Sequence, residues 1–331
     1  MPHPNRTTEE PDLAVVYLLF QTGPSYDKQK PILALKRLLA RLPCRKTIVY
    51  VDNSAQESPC ARQTAPREYA IRGDNRYREF SGWQRGIEYL RNQGKRPDVW
   101  LLVNDTFLTQ SAMQRITFQA DTLECVLMRK AILGKRQTLP PGAEIMGNLL
   151  LPYIRTHFFL VAGEIIEQLS SVVSLDQSSI DRLLLSEFDP SVRLFRKDAP
   201  CSEQMRQLIF SHLTNEWYRR KPYVADSFVE VRAKATSILN SVLLSLRIDQ
   251  LGYPLIPYTK AGAFLDQEVS PERIREEWIG ADGPAVQPMD QRGDGWRVKP
   301  PVYRRVMRRK HPFTLGNLLD LIESRPGREH L

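Results

Sequence analysis

The sequence predicts a three-layer α/β domain with a mainly helical C-terminal extension. In the first 160 residues, short apolar runs alternate with segments whose apolar residues keep helical spacing. This alternation is typical of a sheet that is covered by helices on both faces. Beyond about residue 163, helical spacing prevails. A chain of 331 residues is long enough to bury a sizeable core.

The elements of the first half follow from local patterns. The opening run LAVVYLLF is apolar throughout, which predicts a strand buried on both faces. Pro31 suits the first turn of the helix that follows it, and Gly94 closes the later helix that carries several aromatic residues. The predicted strands are 13–20, 47–52, 68–72 and 98–103, and the predicted aromatic helix is 80–92.

The second half changes from strands to helices. Two further strands are predicted at 123–128 and 153–161, and helices at 163–171, 178–187, 202–220 and 227–250. Glycine, proline and charge without periodicity predict an irregular linker at 279–301. The predicted organisation is a disordered N-terminus at 1–12, a core at 13–190, a helical part of the same domain at 191–278, and a linker with a basic tail at 279–331.

Composition excludes several classes of protein. With 42% hydrophobic and 26% charged residues, the chain is neither collagen-like, mucin-like nor wholly disordered. No apolar run approaches the roughly 18 residues of a membrane span. The first residues lack the order of a secretory signal, so a cytoplasmic protein is expected. The spacing of the four cysteines fits neither a disulfide framework nor a zinc site. A net charge of +9 favours polyanionic partners.

Several common mechanisms lack their motifs. The sequence has no GxxxxGK[ST] phosphate loop, no GxGxxG dinucleotide turn, no HExxH and no GxSxG. Polar residues instead follow the predicted strands: Asp52 and Asn53 after the second, Asn75 before the aromatic helix, and Asn104 with Asp105 after the fourth. Parallel strands place such residues at one edge of a sheet. Each group also fits an ordinary turn or helix cap.

Three of these segments, in this order, resemble the nucleotide-sugar half of GT-A glycosyltransferases, especially bacterial rhamnosyltransferases and O-antigen enzymes. The segments are VYVDNS, DNRYREFSGWQRGIEYL (74–90) and VWLLVNDTF (99–107), and the resemblance covers roughly residues 13–190. It implies a GT-A-like, Rossmann-like α/β fold with a mixed sheet. It also implies an enzyme that transfers a hexose or deoxyhexose, with inversion, from a nucleotide sugar to a growing surface polysaccharide or glycolipid.

The resemblance also implies roles for individual residues. Asp105 would be the ligand of a divalent cation, Mg²⁺ or Mn²⁺, that assists the leaving diphosphate. Because the usual acidic pair is here Asn104-Asp105-Thr106, with one carboxylate, weak metal binding or transfer without a metal are the alternatives. Arg72, Arg76, Arg78 and Arg85 bracket one loop and either neutralise diphosphate or form a solvated helix face. The donor-binding residues implied in this way are Asp52, Asn53, Asn75, Arg76, Arg85 and Asn104.

An inverting transfer needs a general base near the acceptor hydroxyl. The predicted strand 153–161 (YIRTHFFLV) resembles the later strand that lies by the acceptor cleft in polysaccharide-assembly transferases. Glu187 and Asp189 are candidates, because a helix ending after this strand would present them to the cleft, and Asp181 is a rival candidate. Arg155 and His157 alternate on that strand and are expected on the acceptor side. Surface carboxylates and a structural histidine are the alternative interpretations.

The basic segment 292–311 predicts a further partner. It holds eight arginines and lysines against Asp294 alone, which predicts peripheral binding to an anionic membrane. The alternative is that these basic residues bind acidic groups of the protein's own catalytic domain. Two alternatives to an active transferase stay open: a basic, non-catalytic nucleic-acid-binding protein, and a catalytically silent relative. The first lacks any helix-turn-helix, zinc-finger or aromatic RNA-binding signature, so nucleic acid is the less favoured partner.

Overall fold

The computed structural model describes residues 10–20, 27, 29–53, 61–109, 120–216, 220–265 and 274. The predicted linker, the basic segment 292–311 and residues 1–9 lie outside the described residues. No helix in the described part of the chain is both long and apolar enough to cross a membrane.

Ten strands occur in the described residues. They are β1 (Asp12–Leu19), β2 (Arg45–Asp52), β3 (Arg62–Ala65), β4 (Glu68–Arg72), β5 (Val99–Asn104), β6 (Ile132–Gln137), β7 (Glu144–Ile145), β8 (Asn148–Leu149), β9 (Tyr153–Ala162) and β10 (Leu255–Pro257). Eight of them form one sheet in the order β10-β6-β9-β5-β1-β2-β4-β3, and β7 pairs only with β8. The strands β5, β1, β2 and β4 are parallel, whereas β9 is antiparallel to both of its neighbours. The predicted α/β fold with a mixed sheet is confirmed.

Eight α-helices occur in the described residues. They are α1 (Gln29–Leu39), α2 (Glu79–Asn92), α3 (Ala120–Arg129), α4 (Gly163–Leu169), α5 (Gln177–Leu183), α6 (Glu203–Ser211), α7 (Ala225–Gln250) and α8 (Ala261–Leu265). The predicted helices of the second half correspond to α4, α5, α6 and α7. The α6 helix continues into a π-helical turn, His212–Glu216.

The direction of the chain changes at the centre of the sheet. From β1 the chain passes through α1 to β2 on one side, and from β4 it returns through α2 to β5 on the other side of β1. Such connections between parallel strands are right-handed, so α1 and α2 lie on opposite faces. The carboxyl ends of β1 and β5 therefore flank a topological switch point, which is where open α/β sheets bind ligands.

Close packing of α2 against β1 depends on two glycines one helical turn apart. A Cβ atom on Gly86 would lie 2.3 Å from Val16 Cγ1, and one on Gly82 would lie 2.3 Å from Leu18 Cδ1. Side chains at i and i+4 share one helix face. The glycines thus let the backbone of α2 approach β1, which sets the position of the N-terminus of α2 at the switch point.

Hydroxyl groups of α7 hold β9. Thr156 and Ser241 share a hydrogen bond of 2.8 Å, and the backbone N–H of Ile154 donates to Ser245 Oγ at 3.0 Å. The register of β9 with β6 shifts between Gly134 and Lys135, which marks a bulge. The helix α7 and the bulge together determine the orientation of the first half of β9 relative to the rest of the sheet.

The predicted strand at 123–128 is wrong, because this segment lies in α3. Leu123 and Val126 are buried while Glu124 and Met128 are exposed, which is the spacing of a helix and not of a strand. A short apolar run does not distinguish a strand from a buried helix. The strand in this region is β6. The sequence pattern did not reveal it, because Gly134 and Lys135 interrupt its apolar run.

Candidate functional site

A cleft of about 750 Å³ lies at the switch point. Its walls come from the ends of β1 and β5, the start of α2, the first half of β9, the end of α6 and the middle of α7. A site at this edge of the sheet was expected from the polar residues that follow the predicted strands. The contribution of α7, more than a hundred residues further along the chain, was not expected.

Asp105 directly follows β5 and lines the cleft although only 2% of the residue is exposed. Its Oδ2 accepts a hydrogen bond of 2.8 Å from the backbone N–H of Phe20, just after β1. Asn104 lines the cleft too, and its Oδ1 accepts a hydrogen bond of 2.7 Å from the Thr106 hydroxyl. The structure thus brings the predicted residues Asn104 and Asp105 to one wall, with the carboxylate anchored to β1.

Arg78 stands beside this wall in an unusual backbone conformation. It precedes α2 with φ 53° and ψ −127°, a combination that non-glycine residues rarely adopt. The guanidinium lies over the Phe20 ring, with Cζ 5.4 Å from the ring centroid. Its Nε is buried and makes no hydrogen bond within the described residues. Of the four arginines that bracket the loop, Arg78 is the one that lines the cleft.

Glu79 and Lys234 form an ion pair in the cleft. Lys234 Nζ lies 3.8 Å from Glu79 Oε1, and the two side chains are 25% and 11% exposed. The Ser237 hydroxyl donates to the same oxygen at 2.5 Å. Burial alone would raise the pKa of Glu79, but the Lys234 charge, the Ser237 hydrogen bond and the Arg78 charge together lower it. Glu79 is therefore ionised at neutral pH.

Sequence reasoning missed this pair. Glu79 is the first residue of α2 and lies in the segment 74–90 that carries the resemblance. A carboxylate in the first turn of that helix was the signal that could have indicated it. Lys234 had no local signal, because only the packing of α7 brings it to α2.

Arg155 and His157, expected on the acceptor side, both line the cleft. His157 is 8% exposed, and its Nε2 makes no hydrogen bond within the described residues. Burial and, to a smaller extent, the charges of Arg155, Lys135 and Lys234 together lower the pKa of His157 to about 3. The imidazole is neutral at physiological pH and adds no charge to the cleft.

The residues that follow β2 do not line this cleft. Asp52 ends β2 and is half-buried. Asn53 Nδ2 donates to the carbonyl of Arg78 at 3.1 Å and to Asn75 Oδ1 at 3.4 Å. Gly73 leaves the space that the Asn53 side chain occupies, since a Cβ there would fall 1.7 Å from Asn53 Oδ1. Asn53 therefore holds the loop that presents Arg78.

Two predicted donor-binding arginines lie on the surface. Arg76 stacks over the ring of Tyr77, with Cζ 5.2 Å from its centroid. Arg85 lies 3.8 Å from Asp74, with both side chains substantially exposed. Neither lines the cleft. A solvated position was the alternative interpretation given for such arginines.

The three predicted base candidates are not brought to the cleft. Asp181 accepts a hydrogen bond of 2.6 Å from Arg232 on the outer side of α5. Asp189 accepts from the hydroxyl and the N–H of Ser191, which lowers its pKa. Glu187 is exposed. The carboxylates that line the cleft are Glu79, Asp105 and Glu230.

The donor set around Asp105 does not fit a resident metal centre. Within the described ranges, no three His, Cys, Asp or Glu side chains come together as ligands. The oxygens nearest in sequence, from Asn104 and Thr106, bond to each other. A protein-held divalent cation usually needs several such oxygens.

Comparison of the chain with models of known protein families gives no match. Comparison with curated protein sequences gives no significant match either.

Proposed function

We propose that the protein is a glycosyltransferase that moves a sugar from a nucleotide-sugar donor to a saccharide or lipid-linked acceptor. The observation that carries the proposal is the buried Asp105 carboxylate at the switch point between β1 and β5, in one cleft with Arg78, Arg155 and Lys234. The resemblance of residues 13–190 to GT-A glycosyltransferases supports the same proposal, that this edge of the sheet binds a nucleotide sugar.

The size and chemistry of the cleft suit a sugar nucleotide. Pockets for small molecules commonly measure about 300–1,000 Å³, and this cleft falls within that range. Carboxylate, amide and hydroxyl groups from Asp105, Asn104 and Ser241 suit sugar and ribose hydroxyls. The cationic side chains suit the diphosphate.

The transfer places defined demands on the cleft. The acceptor oxygen forms a bond to the anomeric carbon while the bond from that carbon to the phosphate oxygen breaks, and the electron pair leaves with the diphosphate. The hydroxyl proton passes to a base. We assign Asp105 to positioning and charge stabilisation at the sugar, because its buried carboxylate is fixed by the Phe20 N–H.

Release of nucleoside diphosphate from a panel of nucleotide sugars tests the proposal. We expect turnover with at least one donor and a loss of at least about 100-fold in Asp105→Asn, which can keep the Phe20 hydrogen bond but removes the charge. Asp121→Asn, at an exposed position in α3, is the matched control and should retain full activity. Absence of turnover with every donor would reject the function, and equal rates in Asp105→Asn and the wild type would reject the role assigned to Asp105.

The membrane partner remains part of the proposal. The segment 292–311 would hold the enzyme at the anionic, cytoplasmic face of a membrane, where lipid-linked acceptors are found. Each basic residue near such a surface contributes about 1 kcal/mol. Sedimentation with anionic but not neutral vesicles, lost on deletion of 292–331, is the expected result. Binding that ignores lipid charge would contradict it.

A further inference from the structure

Three cations from separate elements converge on one side of the cleft. Arg78 precedes α2, Arg155 lies on β9 and Lys234 lies on α7, and all three line the cleft. The three cations are close enough to influence one another. Burial lowers the pKa of Lys234 and the Glu79 charge raises it, and the charges of Arg78 and Arg155 both lower it further. Like charges this close repel one another, so a bound anion would relieve the repulsion.

The carboxylates of the cleft do not balance this group. Glu79 is the acidic neighbour of Lys234, and the charge of Arg78 also helps to lower the pKa of Glu79. No ion pair joins Arg155 to a carboxylate within the described ranges. Glu230 pairs with Lys221 at 3.3 Å, on an exposed part of α7. Asp105 also lines the cleft, so the three cations share it with Glu79 and Asp105, while Glu230 is paired with Lys221.

The fold positions this group in a defined way. The Arg78 backbone keeps a rare conformation in which its carbonyl accepts from Asn53, and its guanidinium lies over the Phe20 ring. Its buried Nε has no acceptor among the described residues. His157, which also lines the cleft, has a buried Nε2 that makes no hydrogen bond in the part of the chain that the structure describes. Buried polar atoms without partners are uncommon, and a bound water or ion is one common explanation for them.

We propose that Arg78, Arg155 and Lys234 form the diphosphate site of the cleft and neutralise the leaving group without a divalent cation. This inference rests on the proposed function for its substrate. The diphosphate of a sugar nucleotide carries two negative charges, which the three cations can contact together. Arginine presents paired N–H donors to phosphate oxygens, and lysine adds a point charge. The poor donor set at Asp105 is consistent with this division of roles.

Calorimetric titration of the full chain with inorganic pyrophosphate, in excess EDTA and then with Mg²⁺, tests the site. We expect binding in EDTA that Mg²⁺ does not strengthen and that added KCl weakens. Arg155→Gln should lower the affinity about 10- to 100-fold, the effect of one charge-assisted contact. Arg155 is the chosen variant because it has no carboxylate partner to leave unpaired. Arg37→Gln, at an exposed position in α1, is the matched control and should bind normally.

The outcomes separate this inference from the proposed function. Pyrophosphate binding in EDTA that Arg155→Gln weakens, with no turnover of any nucleotide sugar, would support the anion site and reject the glycosyltransferase. Turnover that requires Mg²⁺ and is equal in Arg155→Gln and the wild type would support the glycosyltransferase and overturn the inference. Absence of pyrophosphate binding in EDTA, or equal weakening in Arg37→Gln, would overturn it as well.

Discussion

The side-chain oxygen of Asn240, in α7, accepts a hydrogen bond from the backbone N–H of Ser174 at 2.8 Å. The same oxygen accepts from the N–H of Leu175 at 3.0 Å, and Nδ2 donates to the carbonyl of Thr236 at 3.1 Å. Asn240 is completely buried. One side chain thus satisfies two backbone donors of the segment that leads from α4 to α5.

Asn240→Ala should therefore lower the free energy of unfolding by about 2–4 kcal/mol, because two buried N–H groups lose their acceptor. Urea denaturation followed by circular dichroism measures this change. Asn92→Ala, at the exposed end of α2, serves as the control and should change stability by less than about 0.5 kcal/mol. Equal stabilities of Asn240→Ala and the wild type would contradict the structural role.

Gly86→Ala should destabilise the protein although alanine is the better helix former. At an exposed helical site the change would stabilise by about 1 kcal/mol. Here the new methyl group would lie 2.3 Å from Val16 Cγ1, so α2 must move away from β1, at a cost of about 1–3 kcal/mol. Adding Val16→Ala should make the two changes less costly together than the sum of the separate effects in urea titrations. A more stable Gly86→Ala protein would refute the close approach.

Lys234→Met should destabilise the protein through Glu79, whose buried carboxylate would lose its nearest cation. We expect a loss of about 1–3 kcal/mol at pH 7, less than for a fully enclosed pair because the lysine side chain is 25% exposed. The double variant with Glu79→Gln should recover part of this loss.

The pH dependence of that loss has a defined sign. The pKa of Glu79 is lower in the folded protein than its usual value of 4.5, so its ionised form stabilises the fold above pH 4.5. The difference between the wild type and Lys234→Met should shrink as the pH falls below this value. A difference that is constant from pH 7 to pH 3.5 in chemical denaturation would argue against the pair.

His157 should make the fold sensitive to mild acid. In the folded protein the pKa of His157 is about 3, against 6.5 for a free histidine, because burial and the charges of Arg155, Lys135 and Lys234 disfavour the imidazolium. Below pH 6.5 the unfolded chain binds a proton that the folded chain does not. Stability should then fall by about 1.4 kcal/mol per pH unit from this group.

His157→Gln tests this expectation by the slope of stability against pH. Between pH 6.5 and 4.5 the variant should lose stability less steeply than the wild type, whatever its stability at pH 7. Identical slopes would show that His157 is accessible to protons in the folded state.

Local pattern predicted much of the sheet. The strands β1, β2, β4, β5 and β9 were located within a few residues. For β1, β2 and β5 the signal was a continuously apolar run bounded by polar residues, which reports burial on both faces. The position of Asp105 at the end of β5 followed from the same pattern, because the polar residue directly after a buried strand must lie at the edge of the sheet. The error at 123–128 came from an apolar run too short to show its period.

The sequence by itself determined the α/β class, the central strands and the placement of Asn104 and Asp105 at a strand end. Only the tertiary structure decided which other side chains meet them. The antiparallel insertion of β9 brings Arg155 and His157 to the cleft, and the packing of α7 brings Lys234 to Glu79, 155 positions earlier in the chain. The physical reason is that burial and helical period act between near neighbours and leave a local trace. Pairing between distant elements depends on the complementarity of whole surfaces, and it leaves no local trace in the sequence.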